Sequence, residues 1–173
     1  MDLPLYESTP FHSEENNPES IESINDKKNR IELIRVLNNV NYFFDSEGTN
    51  PNQTSIVLGT FNKRIILIAG GYDDNASYDS MGEALVEKVK HLILFGQTTA
   101  MIEMSLMRRL VGKNQGIDIR VTHCSTLKQA VDCASLSSKS DDIVLLSPAG
   151  SCIDIYSSIE ELCEVYKQYV AAL

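Results

Sequence analysis

The sequence predicts an α/β fold, a mostly parallel sheet between two layers of helices with an antiparallel hairpin at its start. Three observations carry this. Short, continuous apolar runs such as "IILIA", "LILF" and "IVLL" read as strands buried on both faces. Amphipathic stretches of about ten residues alternate with them, the pattern of β-α-β crossovers. Near the start, Asn38-Asn39 joins two strand-like runs, and asparagine tolerates the left-handed backbone of a tight hairpin turn. Together these describe a Rossmann-like three-layer domain.

The elements follow in order. "RIELIRVL" and "VNYFFD" form the hairpin, ending at Asp45, with Tyr42, Phe43 and Phe44 packing it into the core. Thr49 or Asn50 caps a helix with Pro51 in its first turn, and Ile56, Val57 and Phe61 fall on one face. "RIILIAGG" is a buried strand closed by two glycines. Residues 79–89 form a helix with Met81, Leu85 and Val89 inward, followed by the strand "HLILFG". Residues 99–111 are helical, with Ile102, Leu106 and Leu110 inward. "IDIRVT" is a strand, 126–136 a helix, "DIVLLS" the last strand and 157–172 the last helix.

With 173 residues, 43% of them apolar, the chain suits one folded unit, expected over 28–173, after a short appendage over 1–27. Residues 2–26 hold seven acids, no lysine or arginine, and three of the five prolines. That composition reads as an unstructured, solvated leader, with a partner-docking segment as the other reading. A net charge of −9 makes nucleic acid and anionic membrane poor partners. No apolar run approaches the ~20 residues that span a bilayer, and no signal-peptide pattern opens the sequence. Cys124, Cys133, Cys152 and Cys163 form no CxxC pair, and His12, His91 and His123 lack zinc-ligand spacing. The expectation is free thiols, no metal site and a cytoplasmic location.

In an open parallel sheet, ligands bind beyond the carboxyl ends of the strands. Those ends read as Asp45–Asn50, Gly70–Asn75, Gly96–Thr98, Thr122–Ser125 and Ser147–Cys152, expected along one edge. No GxGxxG follows the first strand and no GxxxxGK[ST] occurs, so neither a dinucleotide site nor a P-loop is supported. Cys152 and Cys124 are candidate nucleophiles by chemistry, but each reads better as a buried, inert thiol. His123 beside Cys124 points to the opposite face of the strand. Arg108-Arg109 reads as a solvated face.

Taken together, "NRIE", "FFDSEGTNP", "LIAGG", "LILFG" and "LLSPAGSCIDIY", in that order and each near a strand end, resemble a known pattern. It is the C-terminal domain of the Mur ligases, and especially of the members that add D-glutamate to UDP-N-acetylmuramoyl-L-alanine in peptidoglycan synthesis. The resemblance implies an ATP-dependent, amide-forming chemistry. ATP phosphorylates the muramoyl-alanine carboxylate, and the amine of D-glutamate then attacks the acyl phosphate. This domain closes over the site, binds the amino acid and contacts the nucleotide. ATP and Mg2+ belong to a central domain and the UDP-sugar to another, and neither pattern is present in this sequence. The chain alone is therefore expected to bind no cofactor and to be inactive by itself. Its expected partners are ATPase and UDP-sugar-binding domains of a Mur ligase, or another wall-synthesis protein.

Residue by residue, the resemblance places Arg30, Asp45 and Glu47 near the nucleotide, and Thr49, Tyr72, Cys152 and Ile159 at the amino acid. Arg30, Asp45 and Thr49 keep the family's residue types. Five positions depart: Asn29 stands for histidine, Glu47 and Tyr72 for lysines, Cys152 for serine, and Ile159 for phenylalanine. Leu162 replaces an arginine besides. D-glutamate presents two carboxylates, and a charge-assisted contact to each contributes roughly 1.5–3 kcal/mol. Two cations are lost and one acid is added, so dicarboxylate binding is expected to be poor. A diverged ligase domain is the first reading. A non-catalytic binding or regulatory module derived from it is the second, and a small enzyme using Cys152 the third. Met1 followed by an acidic leader favours a natural stand-alone product over a cut piece.

Overall fold

The computed structural model describes residues 30–72, 75–111 and 118–173. The leader expected over 1–27, together with Asn29, lies outside the described residues. Six strands are present: β1 (Ile31–Leu37), β2 (Val40–Asp45), β3 (Ile65–Ala69), β4 (Val89–Leu94), β5 (Arg120–His123) and β6 (Ile143–Leu146). Five helices accompany them: α1 (Pro51–Gly59), α2 (Met81–Lys88), α3 (Thr99–Leu110), α4 (Leu127–Ser137) and α5 (Ile159–Ala171).

The strands form one sheet in the order β1-β2-β6-β3-β4-β5. Only β1-β2 is antiparallel. Asn38 and Asn39 turn that hairpin with φ of 52° and 61°, both in the left-handed region a two-residue turn needs. β6, last in sequence, inserts between β2 and β3, with Leu145 paired to Phe43 on one side and Leu67 on the other. Two sequence-distant turns are thereby brought side by side at the strand ends.

Alternation along the strands divides the core in two. Phe43, Leu67, Leu92 and Leu145 face α1, α2 and α3 through Val57, Leu58, Met81, Leu85, Ile102 and Leu106. Tyr42, Phe44, Ile68, Ile93 and Leu146 face α4 and α5 through Leu127, Val131, Leu162, Tyr166 and Val170. Each such side chain, fully buried, contributes roughly 1.5–3 kcal/mol. The three-layer architecture is the one the apolar runs predict.

Three local expectations need correction. Ile56 is 60% exposed, while Thr54, two positions earlier, is fully buried. Val89 does not extend α2 but opens β4. β5 spans only Arg120–His123, and as an edge strand it has exposed ends rather than two buried faces. Of the two candidate caps for α1 it is Asn50 that serves, and two further helices carry side-chain caps. Asn50 accepts from the Gln53 amide at 3.0 Å, Thr126 from Gln129 at 3.2 Å, and Ser158 from Glu161 at 3.3 Å. Among the described residues, no helix is long and apolar enough to cross a membrane.

Candidate functional site

The carboxyl ends of the five parallel strands are hydrogen-bonded in series. From β2 to β6, Ala149 N donates to Gly48 O at 2.7 Å. From β6 to β3, Gly70 N donates to Pro148 O and Tyr72 N to Ser151 O, both at 2.7 Å. From β3 to β4, Gln97 N and Thr98 N donate to Gly71 O at 2.9 and 3.2 Å, and Thr98 Oγ1 accepts from Gly71 N at 3.0 Å. From β4 to β5, Cys124 N donates to Leu94 O at 2.8 Å. The edge is thus one continuous rim of turns, as the strand-end motifs imply.

Two backbone features make the rim close. Gly70 sits at φ +136°, and a Cβ there would lie 1.6 Å from Phe95 O, so only glycine fits. Ala149 is held at φ 59° with its methyl fully buried. A non-glycine residue in that region persists only where its surroundings over-determine it. Here the Ala149–Gly48 hydrogen bond does so.

At the β2 end lies a buried polar cluster. The Asp45 side chain is fully buried. Its Oδ1 accepts from Arg30 Nε at 3.2 Å and from Glu47 N at 3.1 Å. Its Oδ2 accepts from Ser147 Oγ at 2.8 Å. Ser147 Oγ also meets Thr54 Oγ1 at 2.7 Å. Burial pushes the Asp45 carboxyl above its ordinary value, opposed by Ser147, Arg30 and the Glu47 amide. All three nitrogens of the arginine have partners. Its Nη1 donates to Gln53 Oε1 and its Nη2 to Gln53 O, both at 2.6 Å, and Nη1 pairs with Glu47 Oε2 at 3.3 Å.

The structure therefore brings Arg30, Asp45 and Glu47 together, with Thr49 alongside, its backbone N–H donating to Glu47 O at 2.8 Å. Tyr72 lies across the β3–β6 junction, 43% exposed, bridged to Ser151 next to Cys152. Cys152 is 6% exposed, and burial, Glu160 and Asp154 hold its thiol above its ordinary pKa despite a backbone donor. Such a thiol is a poor nucleophile. Ile159 starts α5 and lines a shallow groove of about 200 Å3 with Phe44, Ser46 and Cys163, on the α4/α5 side of the sheet. His123 pairs with Glu103 of α3 at 3.0 Å, while Cys124 packs toward α4, so the two do diverge.

Sequence reasoning passed over Gln53, Thr54 and the Ser147 hydroxyl. Gln53 and Thr54 look like ordinary positions on a capped helix. The only signal was polar residues one to four positions after the cap, facing a strand-end serine that becomes adjacent only once β6 inserts beside β2.

Comparison with known proteins gives a consistent result. The family described as "Mur ligase, glutamate ligase domain" matches residues 29–150. A UDP-N-acetylmuramoylalanine–D-glutamate ligase of Ruminiclostridium cellulolyticum is 38% identical over 148 residues, 86% of this chain and 32% of that protein. The enzyme of the same name from Acetivibrio thermocellus is 38% identical over 146 residues, 84% of this chain and 31% of that protein. The chain thus spans about a third of the length of these relatives. Two solved structures share the fold. One is a domain of a protein assigned as a UDP-N-acetylmuramate:L-alanyl-γ-D-glutamyl-diaminopimelate ligase from Haemophilus ducreyi. It has a TM-score of 0.53 and 12% identity, covering 80% of this chain and 98% of that one. The other is a UDP-N-acetylmuramoyl-L-alanyl-D-glutamate–2,6-diaminopimelate ligase, with a TM-score of 0.53 and 16% identity over 84% of this chain and 32% of that one.

Proposed function

The chain belongs to the Mur ligase family through its glutamate ligase domain, and from that premise we propose that it is the amino-acid- and nucleotide-contacting part of a D-glutamate-adding ligase. ATP, Mg2+ and the UDP-sugar are held by domains outside this sequence, in a longer chain or a partner. Those domains activate the acyl carboxylate. This domain presents the amine of the amino acid and shields the acyl phosphate from water as it closes. No residue of this chain is assigned a catalytic step.

The observation that carries this reading is the Asp45–Ser147 bond at 2.8 Å, which fixes the 45–50 turn against the 147–152 turn. In the proposal Thr49, Tyr72, Cys152 and Ile159 face the amino acid, and Arg30, Asp45 and Glu47 the nucleotide side. Asp45, having no exposed oxygen, acts by positioning the turn that carries Glu47 and Thr49. A buried carboxylate with three donors serves a shape, not a ligand.

One observation favours the second reading, a non-catalytic module. Arg30 spends its donors on Gln53, Asp45 and Glu47, and positions 47 and 72 supply no cation in its place. Calorimetric titration of the chain with D-glutamate, L-glutamate and ADP at low salt separates the two. Saturable, stereospecific D-glutamate binding supports the ligase domain. No heat from any of the three supports the module and turns the search to protein partners.

A further inference from the structure

Two features of the sequence play no part in the proposed site: the acidic leader and the Arg108-Arg109 pair. The structure gives the pair a setting. On the outer side of α3, Met104, Met107 and Val111 stand 52%, 53% and 81% exposed. Spacings of three and four positions put them on one face, while Ile102 and Leu106 fill the core behind. Arg108, four positions after Met104, borders this stripe and pairs with Asp79. Beyond Arg108, between α3 and the segment entering α2, lies a pocket of about 310 Å3 lined by Asp79, Ser105, Arg108 and Arg109.

Arg109 is seated in that pocket without a partner. Gly82 of α2 leaves room for its stem, since a Cβ there would lie 2.7 Å from Arg109 Cγ and 2.3 Å from Ser105 O. The arginine is exposed, and among the described residues no carboxylate pairs with it. Asp79 is already matched by Arg108, so one positive charge stays free beside an uncovered apolar stripe. An exposed apolar patch rimmed by charge marks a docking surface. Arg120 also lacks a carboxylate partner, but its pocket holds Asp132 and a single exposed apolar side chain, Leu136.

Charge and reach indicate the occupant. Residues 2–26 hold seven of the chain's 24 acids and no lysine or arginine, and their first half carries Leu3, Leu5, Tyr6 and Phe11. The leader joins the fold at the carboxyl rim, because Ile31 pairs with Asp45. β1 and β4 are four strand spacings apart in the sheet, and α3 runs back from the end of β4. The start of β1 and the end of α3 are therefore roughly 30 Å apart. An extended chain covers that distance in about ten residues. We propose that residues 2–19 of the leader dock on α3, their apolar side chains covering Met104, Met107 and Val111 and their carboxylates facing Arg109 and Arg108. Tethering gives the segment an effective concentration in the millimolar range, so a few surface contacts suffice to hold it.

The test is peroxide oxidation of the full chain, followed residue by residue through peptide masses. Met104 and Met107 are expected to oxidise several-fold more slowly at low salt than at high salt. Glu7→Gln, Glu14→Gln, Glu15→Gln and Glu19→Gln together touch no contact among the described residues, and are expected to remove that protection. Half-buried Met101 serves as the internal control and should oxidise alike in both proteins. From the other side, Arg109→Gln breaks no ion pair. It is expected to speed cleavage of the leader by a glutamate-specific protease several-fold at unchanged Tm. Equal oxidation of Met104 and Met107 in the parent and the glutamine variant overturns the proposal, as does leader cleavage that Arg109→Gln leaves unmoved. Protection that grows with protein concentration overturns it too, since the cover is then a second copy of the chain.

Discussion

Ser147 and Asp45 stand 102 positions apart and share a buried hydrogen bond of 2.8 Å. It crosses from the last strand of the chain to the second, and Thr54 extends it to α1 at 2.7 Å. The bond favours the charged form of Asp45, while burial opposes that form more strongly and raises the folded pKa above 3.8. A raised folded pKa means that the stability tied to the proton is full below about 3.8 and is lost as pH rises through the folded value. Ser147→Ala removes a donor that offsets this loss. It is expected to cost about 1.5–3 kcal/mol at neutral pH, and clearly less below pH 3.8, as Asp45 becomes protonated in both states. Urea denaturation at both pH values checks it. Equal costs would mean that Asp45 is already neutral at pH 7.

His91 carries the opposite pH signature. Its ring nitrogens meet Ser137 Oγ at 3.0 Å and Thr122 Oγ1 at 2.9 Å. Burial, then the positive charges of Arg120 and Lys90, lower its pKa from 6.5 to about 4. A lowered folded pKa means that the fold binds fewer protons than the unfolded chain between those values. Stability is therefore full above pH 6.5 and falls as pH drops toward 4, with a slope approaching 1.4 kcal/mol per pH unit for one proton. His91→Gln cannot titrate, so its stability should fall less steeply over that interval. Parallel curves for the two proteins, from denaturation midpoints at pH 7, 5.5 and 4.5, would rule out His91 as the source.

Tyr166 offers a gain instead of a loss. Its ring is fully buried, 6.2 Å from that of Phe44, and its hydroxyl has no hydrogen-bond partner among the described residues. An unpaired buried hydroxyl costs about 1–3 kcal/mol. Tyr166→Phe removes it while keeping the ring's shape, and should raise stability by about 1 kcal/mol, roughly 2–4 °C in Tm for a domain of this size. A lower Tm by calorimetry would show that the hydroxyl has a partner after all.

What the sequence disclosed, and what it withheld, divides along range. Asn38-Asn39 announced the hairpin because a left-handed turn is a local demand. "IILIA" and "IVLL" announced buried strands because every side of them meets core. Ile56 misled, and Thr54 gave no signal, because α1 is short and its orientation is set by a partner far along the chain. Thr54 turns inward to reach Ser147, and Ile56 is carried outward. Val89 misled because α2 passes into β4 without a linker, so one apolar residue serves both periods. In the candidate site, the turn segments were legible as strand ends. That Arg30 would be consumed by Gln53 was not, since no local pattern records which side chain a guanidinium will find.

The two departures at Glu47 and Tyr72 give the sharpest test of the proposed amino-acid site. Tyr72 is 43% exposed, and its link to Ser151 runs through the backbone, so Tyr72→Lys leaves that bridge intact. The Glu47 side chain is 61% exposed, and an exposed pair such as Glu47–Arg30 contributes little to stability. The double change Tyr72→Lys, Glu47→Lys should therefore fold. It adds two cations, removes an acid and frees one edge of Arg30. With charge-assisted contacts at roughly 1.5–3 kcal/mol each, D-glutamate should bind about 10- to 100-fold more tightly than to the parent chain. Tyr72→Lys alone should supply the larger part, because position 72 lies beside the 147–152 turn while position 47 competes with Arg30. Calorimetry at low and physiological salt, with L-glutamate alongside, reads the effect. Tighter binding of the D-isomer that survives salt places the amino acid between the 45–50 and 70–72 turns. A gain equal for both isomers and erased by salt is unspecific attraction, and would sink the assignment of Thr49 and Tyr72 to the substrate.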